Sequence, residues 1–272
     1  MVRFREACYP SQPEVFAATL GTPRKNAMMN TRMDTERTQS IKRRGATELN
    51  SRSAESDPSN HSRLLSLIVP GVFVVLGCAA LTIDIPLARW FEAQKLPSFV
   101  KKVCELAEVF GHGSGVALIL LTAWVLAPEQ RRRLPRVICC AYGAGLAADG
   151  MKLLLSRGRP YKTDLSSISV WQTFQGWFPL FSSSSAGQSF TSAHTATAVG
   201  LALGLAWMFP RGKWLFGAFA VLVALQRMAG PYHFCSDTLW GAAIGCLIAS
   251  IFLPNGWLAP QLDRLEQRLS AV

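Results

Sequence analysis

The stretch Leu64–Ile83, LLSLIVPGVFVVLGCAALTI, indicates the fold class of this 272-residue chain. It contains twenty residues and no charged side chain. An α-helix rises about 1.5 Å per residue, so twenty residues cross a hydrocarbon layer of about 30 Å. The stretch therefore predicts a membrane-spanning helix.

Five further apolar segments follow it and complete a predicted set of six spans. They lie at about Gly115–Ala127, Leu134–Leu155, Thr195–Pro210, Lys213–Gln226 and Asp237–Leu253. The shorter segments, taken alone, are equally typical of core helices in a soluble helical bundle. The first and last segments favour a membrane protein, so we predict an all-α, six-span transmembrane bundle over residues 64–254.

The basic residues of the chain are concentrated before the first span. The formal net charge is +11 and half of the residues are hydrophobic. Residues 1–63 hold 11 of the 28 Lys and Arg residues and show no periodic apolar face. We predict a disordered basic tail over residues 1–63 and a short C-terminal tail over residues 255–272. The apolar content excludes a wholly disordered chain, and seven cysteines are too few for a small disulfide scaffold.

The charges between the spans predict an orientation, because cytoplasmic loops carry an excess of Lys and Arg. The connections after the second and fourth spans are basic, through Arg131, Arg132, Arg133, Arg136, Arg211 and Lys213. The first connection, about Asp84–Ser114, balances four basic against four acidic residues. We therefore predict that both termini are cytoplasmic in a bacterial-type plasma membrane. This distribution accounts for the basic charge without a nucleic-acid partner.

Basic side chains also stand where the third predicted span ends. We predict that Lys152 and Arg159 bind an anion, with Arg157 as a substitute for or assistant to Arg159. Asp149 lies one helical turn before Lys152, and we expect the two to form an ion pair. The alternative is that these cations only favour the helix macrodipole and extend to the membrane interface.

The fourth span opens with Ser192, Ala193 and His194. Ser192 is a suitable N-cap, and the free N–H groups of a first helical turn form an anion site. His194 can exchange a proton near neutral pH. A lone histidine at a helix start is also often an ordinary surface residue.

The fifth span leads through a Gly-Pro break to His233 and Asp237. These two residues are four positions apart, so they share one face if the turn is helical. An aspartate in that position can fix the histidine tautomer and make the other ring nitrogen a better nucleophile. Such a pair also occurs as a purely structural hydrogen bond. The predicted topology brings these residues, Lys152 and His194 to the same, outer side of the membrane.

At these residues the sequence resembles the type 2 phosphatidic acid phosphatases, a group that includes bacterial acid phosphatases and vanadium haloperoxidases. Lys152–Pro160 fits the K-x6-R-P motif, Thr191–His194 resembles P-S-G-H, and Arg227–Asp237 fits R-x5-H-x3-D. Departures from the family pattern are Thr191 for Pro, Ala193 for Gly and Gln226 for Ser. None of them removes a catalytic side chain of the family.

The resemblance implies a two-step phosphoryl transfer that requires no metal and no other cofactor. His233, oriented by Asp237, is the implied nucleophile that forms a phosphohistidine, and His194 is the implied general acid and base. The implied phosphate ligands are Lys152, Arg159, Ser192, Ala193 and Arg227.

The expected function is a membrane phosphatase acting on a lipid phosphate or diphosphate at the outer leaflet. Phosphatidic acid, phosphatidylglycerol phosphate, a polyprenyl diphosphate and a lipid A phosphate all fit this chemistry. The alternatives are a vanadate-dependent oxidoreductase of the haloperoxidase kind, a lipid phosphotransferase and a non-catalytic membrane protein. The sequence leaves the oligomeric state open.

Aromatic side chains are dense in the loop 161–188, at Trp171, Phe174, Trp177, Phe178 and Phe181. We predict that they form an interfacial lip that contacts acyl or isoprenyl chains. An ordinary aromatic belt is the alternative.

Overall fold

The computed structural model describes residues 58–93, 96–179, 188–254 and 256–269, so the predicted tail up to residue 57 lies outside the described residues. All of these residues belong to one compact unit, Asp57–Val272. The unit is mostly helical. The described part contains nine α-helices: α1 Pro58–Ala80, α2 Asp84–Glu92, α3 Ser98–Ala107, α4 Gly113–Leu126, α5 Leu134–Lys152, α6 Ala193–Met208, α7 Lys213–Ala229, α8 Cys235–Phe252 and α9 Ala259–Leu269.

Each of the six predicted apolar segments is a helix, namely α1 and α4 to α8. Helix α1 begins at Pro58, before the predicted boundary at Leu64. Within the described ranges, α8 alone is by itself long and apolar enough to cross a membrane. Two pairs of consecutive helical segments are also long and apolar enough if each pair is taken as one span. The first pair is residues 67–80 with α2, bent by 75°, and the second is Ser98–Phe110 with α4, bent by 69°.

Helix α6 lies at the centre of the bundle and packs against α5, α7 and α8, while α1 packs against α8. Glycines allow these close approaches. A methyl group at Gly200 of α6 would lie 2.2 Å from the carbonyl oxygen of Cys140. One at Gly241 of α8 would lie 2.5 Å from the carbonyl oxygen of Ser192. Small residues at helix contacts are typical of bundles in membranes, where backbones approach closely.

Apolar side chains cover both the inside and the outside of this bundle. The buried core between α4, α5, α6 and α7 includes Val116, Val137, Leu201 and Val223. The outer faces of α1 and α4 expose further large apolar side chains, among them Leu67, Val72, Val75, Leu118, Leu121 and Leu126. Such a continuous apolar exterior is unusual for a soluble monomer and typical of a surface in contact with lipid.

One small hairpin departs from the predicted all-α fold. Strands β1 Leu155–Arg157 and β2 Phe174–Trp177 pair antiparallel directly after α5. Strand β1 starts three residues after Lys152 and ends at Arg157. The hairpin turns the chain back toward the protein there, and the Arg157 side chain is fully buried.

The segment expected to be a short C-terminal tail contains the amphipathic helix α9. Arg136, buried at the start of α5, donates hydrogen bonds to Asp263 and Glu266 of α9, both at 2.5 Å. These two acidic residues therefore neutralise a buried arginine.

Candidate active site

The three motif regions meet at one end of the bundle. The loop before α6 and the start of α8 are joined by a hydrogen bond from the Ser192 N–H to the Asp237 carbonyl, 3.1 Å. The loop after β1 reaches the loop after α7 through the Tyr161 N–H and the Pro231 carbonyl, 3.2 Å. The predicted convergence of the motifs is thus present in the structure.

His233 lies in the loop between α7 and α8, and its side chain is buried. Its Nδ1 lies 2.7 Å from the backbone carbonyl oxygen of Ser189. A carbonyl can only accept, so Nδ1 carries the proton and Nε2 keeps a free lone pair. Among the described residues no atom forms a hydrogen bond with Nε2. The ring is therefore held in the tautomer that leaves the Nε2 lone pair available.

Asp237 does not make the direct hydrogen bond to His233 that the sequence suggested. Its Oδ2 lies 4.0 Å from Nδ1 of His233, because the Ser189 carbonyl occupies that position. The same oxygen accepts hydrogen bonds from the Ser189 hydroxyl at 2.6 Å and the Phe234 N–H at 2.9 Å. Asp237 therefore fixes the two backbone segments on either side of the ring.

The positive charges of Arg227, Lys152 and Arg159 act on His233. Burial lowers the pKa of His233 well below its ordinary value of 6.5, and the positive charges of these three residues lower it further, against a hydrogen bond to Ser189 that raises it. The imidazole is consequently neutral at pH 7. The buried Nε atoms of Arg159 and Arg227 have no hydrogen-bond partner in the described part of the chain. Each guanidinium group therefore keeps an unused hydrogen-bond donor.

The start of α6 has the predicted capping geometry. The Ser192 hydroxyl oxygen accepts from the Thr195 N–H at 3.3 Å and from the Thr195 hydroxyl at 3.0 Å. Ala193 and His194 occupy the first two positions of the helix. The first-turn N–H groups of a helix have no partner within it and favour an anion. His194 is only partly buried and lies on the same end of the bundle as His233.

Glu108 is a site residue that the sequence reasoning missed. It begins a single 3-10 turn after α3 and lies between two predicted site residues. Its Oε1 is 2.7 Å from Nη1 of Arg227 and 3.8 Å from Nε2 of His194. Its Oε2 accepts a hydrogen bond from Gln226 at 2.9 Å, so the departure Gln226 for Ser serves to hold this carboxylate. No sequence pattern distinguishes Glu108 from the other acids of its connection.

Arg157 is not an anion ligand, so the prediction that it substitutes for or assists Arg159 is wrong. Its guanidinium group is fully buried and forms ion pairs with Asp84 at 2.7 Å and Asp237 at 2.6 Å. The spacing of basic residues alone does not reveal this, because burial is a property of the folded chain. The predicted pair of Asp149 with Lys152 is present at 2.7 Å.

The aromatic loop exposes Trp171, Trp177 and Phe178, while Phe174 is partly buried and Phe181 lies outside the described residues.

Within the described ranges, no three His, Cys, Asp or Glu side chains are grouped to hold a metal ion.

Comparison with known proteins finds similar sequences. Residues 133–258, which include all three motifs, match the PAP2 superfamily model. A lipid A 1-phosphatase of Rhizobium johnstonii is 29% identical over 227 residues, covering 71% of this chain and 88% of the relative. A lipid A 1-phosphatase of Rhizobium etli is 25% identical over 219 residues, covering 68% of this chain and 89% of the relative.

Two solved structures are also similar. The crystal structure of Aquifex aeolicus LpxE aligns with a TM-score of 0.45 and 18% identity, over 61% of this chain and 92% of that chain. The crystal structure of a transmembrane PAP2 type phosphatidylglycerolphosphate phosphatase from Bacillus subtilis aligns with a TM-score of 0.48 and 15% identity, over 75% of this chain and 97% of that chain.

Proposed function

We propose that this chain, a phosphatase that carries a PAP2 superfamily domain, removes a phosphate group from lipid A or from a similar lipid phosphate. Both curated relatives bear the name lipid A 1-phosphatase and align over most of their length, which favours a lipid A 1-phosphate as the first substrate to test. Phosphatidic acid, phosphatidylglycerol phosphate and a polyprenyl diphosphate are the other candidate substrates.

The arrangement around His233 is the observation that carries the proposal. A neutral imidazole with its Nδ1 proton held by Ser189 leaves Nε2 able to attack phosphorus, and the positive charges of Arg227, Lys152 and Arg159 that act on the ring favour a phosphate beside it. Positive groups around the phosphate oxygens stabilise the charge of the transition state. Lys152, Arg159, Arg227, the Ser192 hydroxyl and the Ala193 N–H are the proposed phosphate ligands.

The proposed reaction has two steps. In the first, Nε2 of His233 forms a bond to phosphorus, the bond from phosphorus to the lipid oxygen breaks, and His194 gives its proton to that oxygen. In the second, His194 takes a proton from water, the water oxygen bonds to phosphorus, and the bond to Nε2 breaks. Phosphate and the dephosphorylated lipid are the products. We propose that neither step needs a metal ion.

The chain is an integral membrane protein, and we propose that α1 and α4 to α8 are its six spans. The exposed apolar side chains of α1, α4, α5 and α7 around the central α6 support this count. The basic turns with Arg131 and Arg211 lie at the helix ends opposite to His233, which supports cytoplasmic termini and a site at the outer leaflet. The phosphate of a lipid then lies at the depth where the site opens.

Phosphate release from a panel of lipid phosphates tests this proposal. We expect the purified protein in detergent to release phosphate from at least one of the four candidate lipids with EDTA present. We expect His233→Ala to be inactive and Asp164→Asn, in an exposed turn, to match the wild type. Release that requires an added divalent metal ion contradicts the metal-free mechanism, and full activity of His233→Ala contradicts the nucleophile.

Two further measurements separate the alternatives. Halide oxidation in the presence of vanadate and peroxide supports the oxidoreductase. Transfer of the phosphoryl group to an added alcohol, in place of release to water, supports the phosphotransferase. We expect orthovanadate to inhibit competitively and to produce no halide oxidation.

A further inference from the structure

Asp84 lies outside the three motifs, and its side chain is nevertheless buried beside them. It is the first residue of α2, four residues after α1 ends, and it is 1% exposed. One carboxylate oxygen accepts a hydrogen bond from the Ser236 N–H at 2.9 Å. The other accepts from the Ser236 hydroxyl at 2.5 Å and from Arg157 at 2.7 Å.

Arg157 connects Asp84 to Asp237. Its Nη2 binds Asp84, while its Nη1 binds Asp237 at 2.6 Å and the Ser236 hydroxyl at 2.7 Å. The rings of Phe174 and Phe234 lie 4.6 Å and 4.2 Å from the guanidinium carbon and restrict its movement. The position of Asp237 therefore depends on a guanidinium group that Asp84 holds in place.

This buried ion cluster, made of Asp84, Arg157, Ser236 and Asp237, contains two carboxylates and one guanidinium group. Burial acts to lower the pKa of Arg157, but the two carboxylates outweigh it and raise that pKa, so the arginine stays charged. Burial raises the pKa of Asp84, against Arg157 and Ser236, which lower it. The formal charge of two carboxylates and one guanidinium group is minus one. A second buried carboxylate is costly for stability, so its presence calls for a role beyond neutralising Arg157.

The cluster is linked to His233 through Asp237. The Ser189 hydroxyl donates to Asp237, and the Ser189 carbonyl accepts the Nδ1 proton of His233. Asp237 also binds the N–H of Phe234, which follows His233 in the chain. The charges that act on the imidazole are then the cations Arg227, Lys152 and Arg159 and the anion Asp237, whose Oδ2 lies 4.0 Å from Nδ1.

We propose that Asp84 is a positioning residue for phosphoryl transfer, acting through Arg157 and Asp237 on His233. It fixes Arg157 so that Asp237 holds the Ser189 carbonyl against Nδ1. Its charge keeps the cluster net negative, which stabilises the positive charge that develops on the imidazole as Nε2 bonds to phosphorus. This inference rests on the proposed role of His233.

Asp84→Asn tests the inference, because the side chain keeps its size and loses its charge. We expect kcat to fall roughly tenfold with KM unchanged, the scale of removing one partly screened unit charge from a buried site. We also expect the acid limb of the kcat profile to move to lower pH, because the imidazolium loses a stabilising charge. Asp164→Asn makes the same chemical change in an exposed turn and should leave both readouts at wild-type values.

Ser236→Ala separates charge from structure. It removes a hydroxyl that binds both Asp84 and Arg157 but keeps every charge of the cluster. We expect this variant to lose thermal stability, while the acid limb of its kcat–pH profile stays at the wild-type pH. An acid limb for Asp84→Asn that coincides with that of the wild type and of Ser236→Ala overturns the inference and leaves Asp84 a structural residue.

If Asp84→Asn is recovered only unfolded, Asp84→Glu takes its place. It keeps the charge and displaces it, so a lower kcat at unchanged KM is expected, and wild-type kcat contradicts the inference. His233→Ala is measured alongside. Activity of His233→Ala overturns the proposed function, whereas an inactive His233→Ala with wild-type behaviour of the Asp84 variant overturns only the role of Asp84.

Discussion

The Nδ1 atom of His233 lies 2.7 Å from the backbone carbonyl oxygen of Ser189. Asp237, four residues after His233, lies 4.0 Å from the same nitrogen and instead binds the Ser189 hydroxyl. The carboxylate thus positions the carbonyl, and the carbonyl sets the tautomer of the ring. This indirect arrangement leads to specific expectations for each partner.

Ser189→Ala and Asp237→Asn are expected to differ in severity. Ser189→Ala keeps the carbonyl and loses one hydrogen bond of about 1 kcal/mol, so kcat should fall roughly threefold to tenfold. Asp237→Asn removes the carboxylate charge that lies 4.0 Å from Nδ1 of His233 and also weakens the ion pair with Arg157, so kcat should fall further, by roughly a hundredfold or more. Steady-state kinetics on the preferred lipid measure both values.

Ser166→Ala is the matched control for these two variants, because its hydroxyl binds only Asp164 in an exposed turn. We expect it to behave as the wild type. A wild-type kcat of Ser189→Ala beside a large loss in Asp237→Asn contradicts the indirect arrangement.

The lowered pKa of His233 predicts how stability depends on pH. The folded protein binds fewer protons at this residue than the unfolded chain, so its contribution to the free energy of unfolding is complete above an unfolded pKa of about 6.5. That contribution is lost as the pH falls below about 6.5. Thermal unfolding in detergent between pH 8 and pH 5 should therefore show a steeper decline for the wild type than for His233→Gln, which cannot titrate. Parallel stability curves for the two proteins contradict a lowered pKa of His233.

Glu108→Gln is expected to tighten the binding of inorganic phosphate. The Glu108 carboxylate lies 2.7 Å from Arg227 and repels an anion that approaches the same guanidinium group. Removing one such repulsion near a protein surface is worth about 1 kcal/mol or more, so the competitive inhibition constant of phosphate should fall roughly fivefold or more. Glu105→Gln, on an exposed position of α3, is the control. An unchanged or weaker inhibition constant shows that Glu108 does not compete with the phosphate.

Trp177→Ser tests the predicted aromatic lip. Trp177 is 75% exposed at the end of β2, on the side of the bundle that carries the site. We expect KM to rise for a long-chain lipid phosphate in mixed micelles and to stay constant for a short-chain, water-soluble phosphate. Trp214, 81% exposed at the opposite end of α7, gives the control variant Trp214→Ser. An equal change of KM for both substrates argues against a lip that contacts acyl chains.

Much of this architecture is predictable because hydrophobic length and motif spacing are local properties. The six apolar segments are helices, and two crossings between the second and third motif return the chain to the same end of the bundle. Ser192 caps α6 and Asp149 pairs with Lys152 as expected, since both contacts span a single helical turn.

The missed features depend on contacts between distant parts of the chain. Asp84 and Glu108 are isolated acids in a connection of balanced charge, and only the fold brings them to Arg157 and Arg227. Arg157 and Arg159 are two residues apart in the sequence, yet the short strand β1 buries the first. Helix α9 is likewise explained by a partner, Arg136, more than a hundred residues away.

Trapping the phosphorylated enzyme tests the central claim most directly. The wild type, mixed with a lipid phosphate labelled at the phosphorus and quenched within one turnover, should carry the label on His233, as an alkali-stable and acid-labile phosphohistidine identified by peptide mapping. His233→Ala should carry none, while Asp164→Asn should match the wild type. Label on another residue, or phosphate release by His233→Ala at the wild-type rate, contradicts the account.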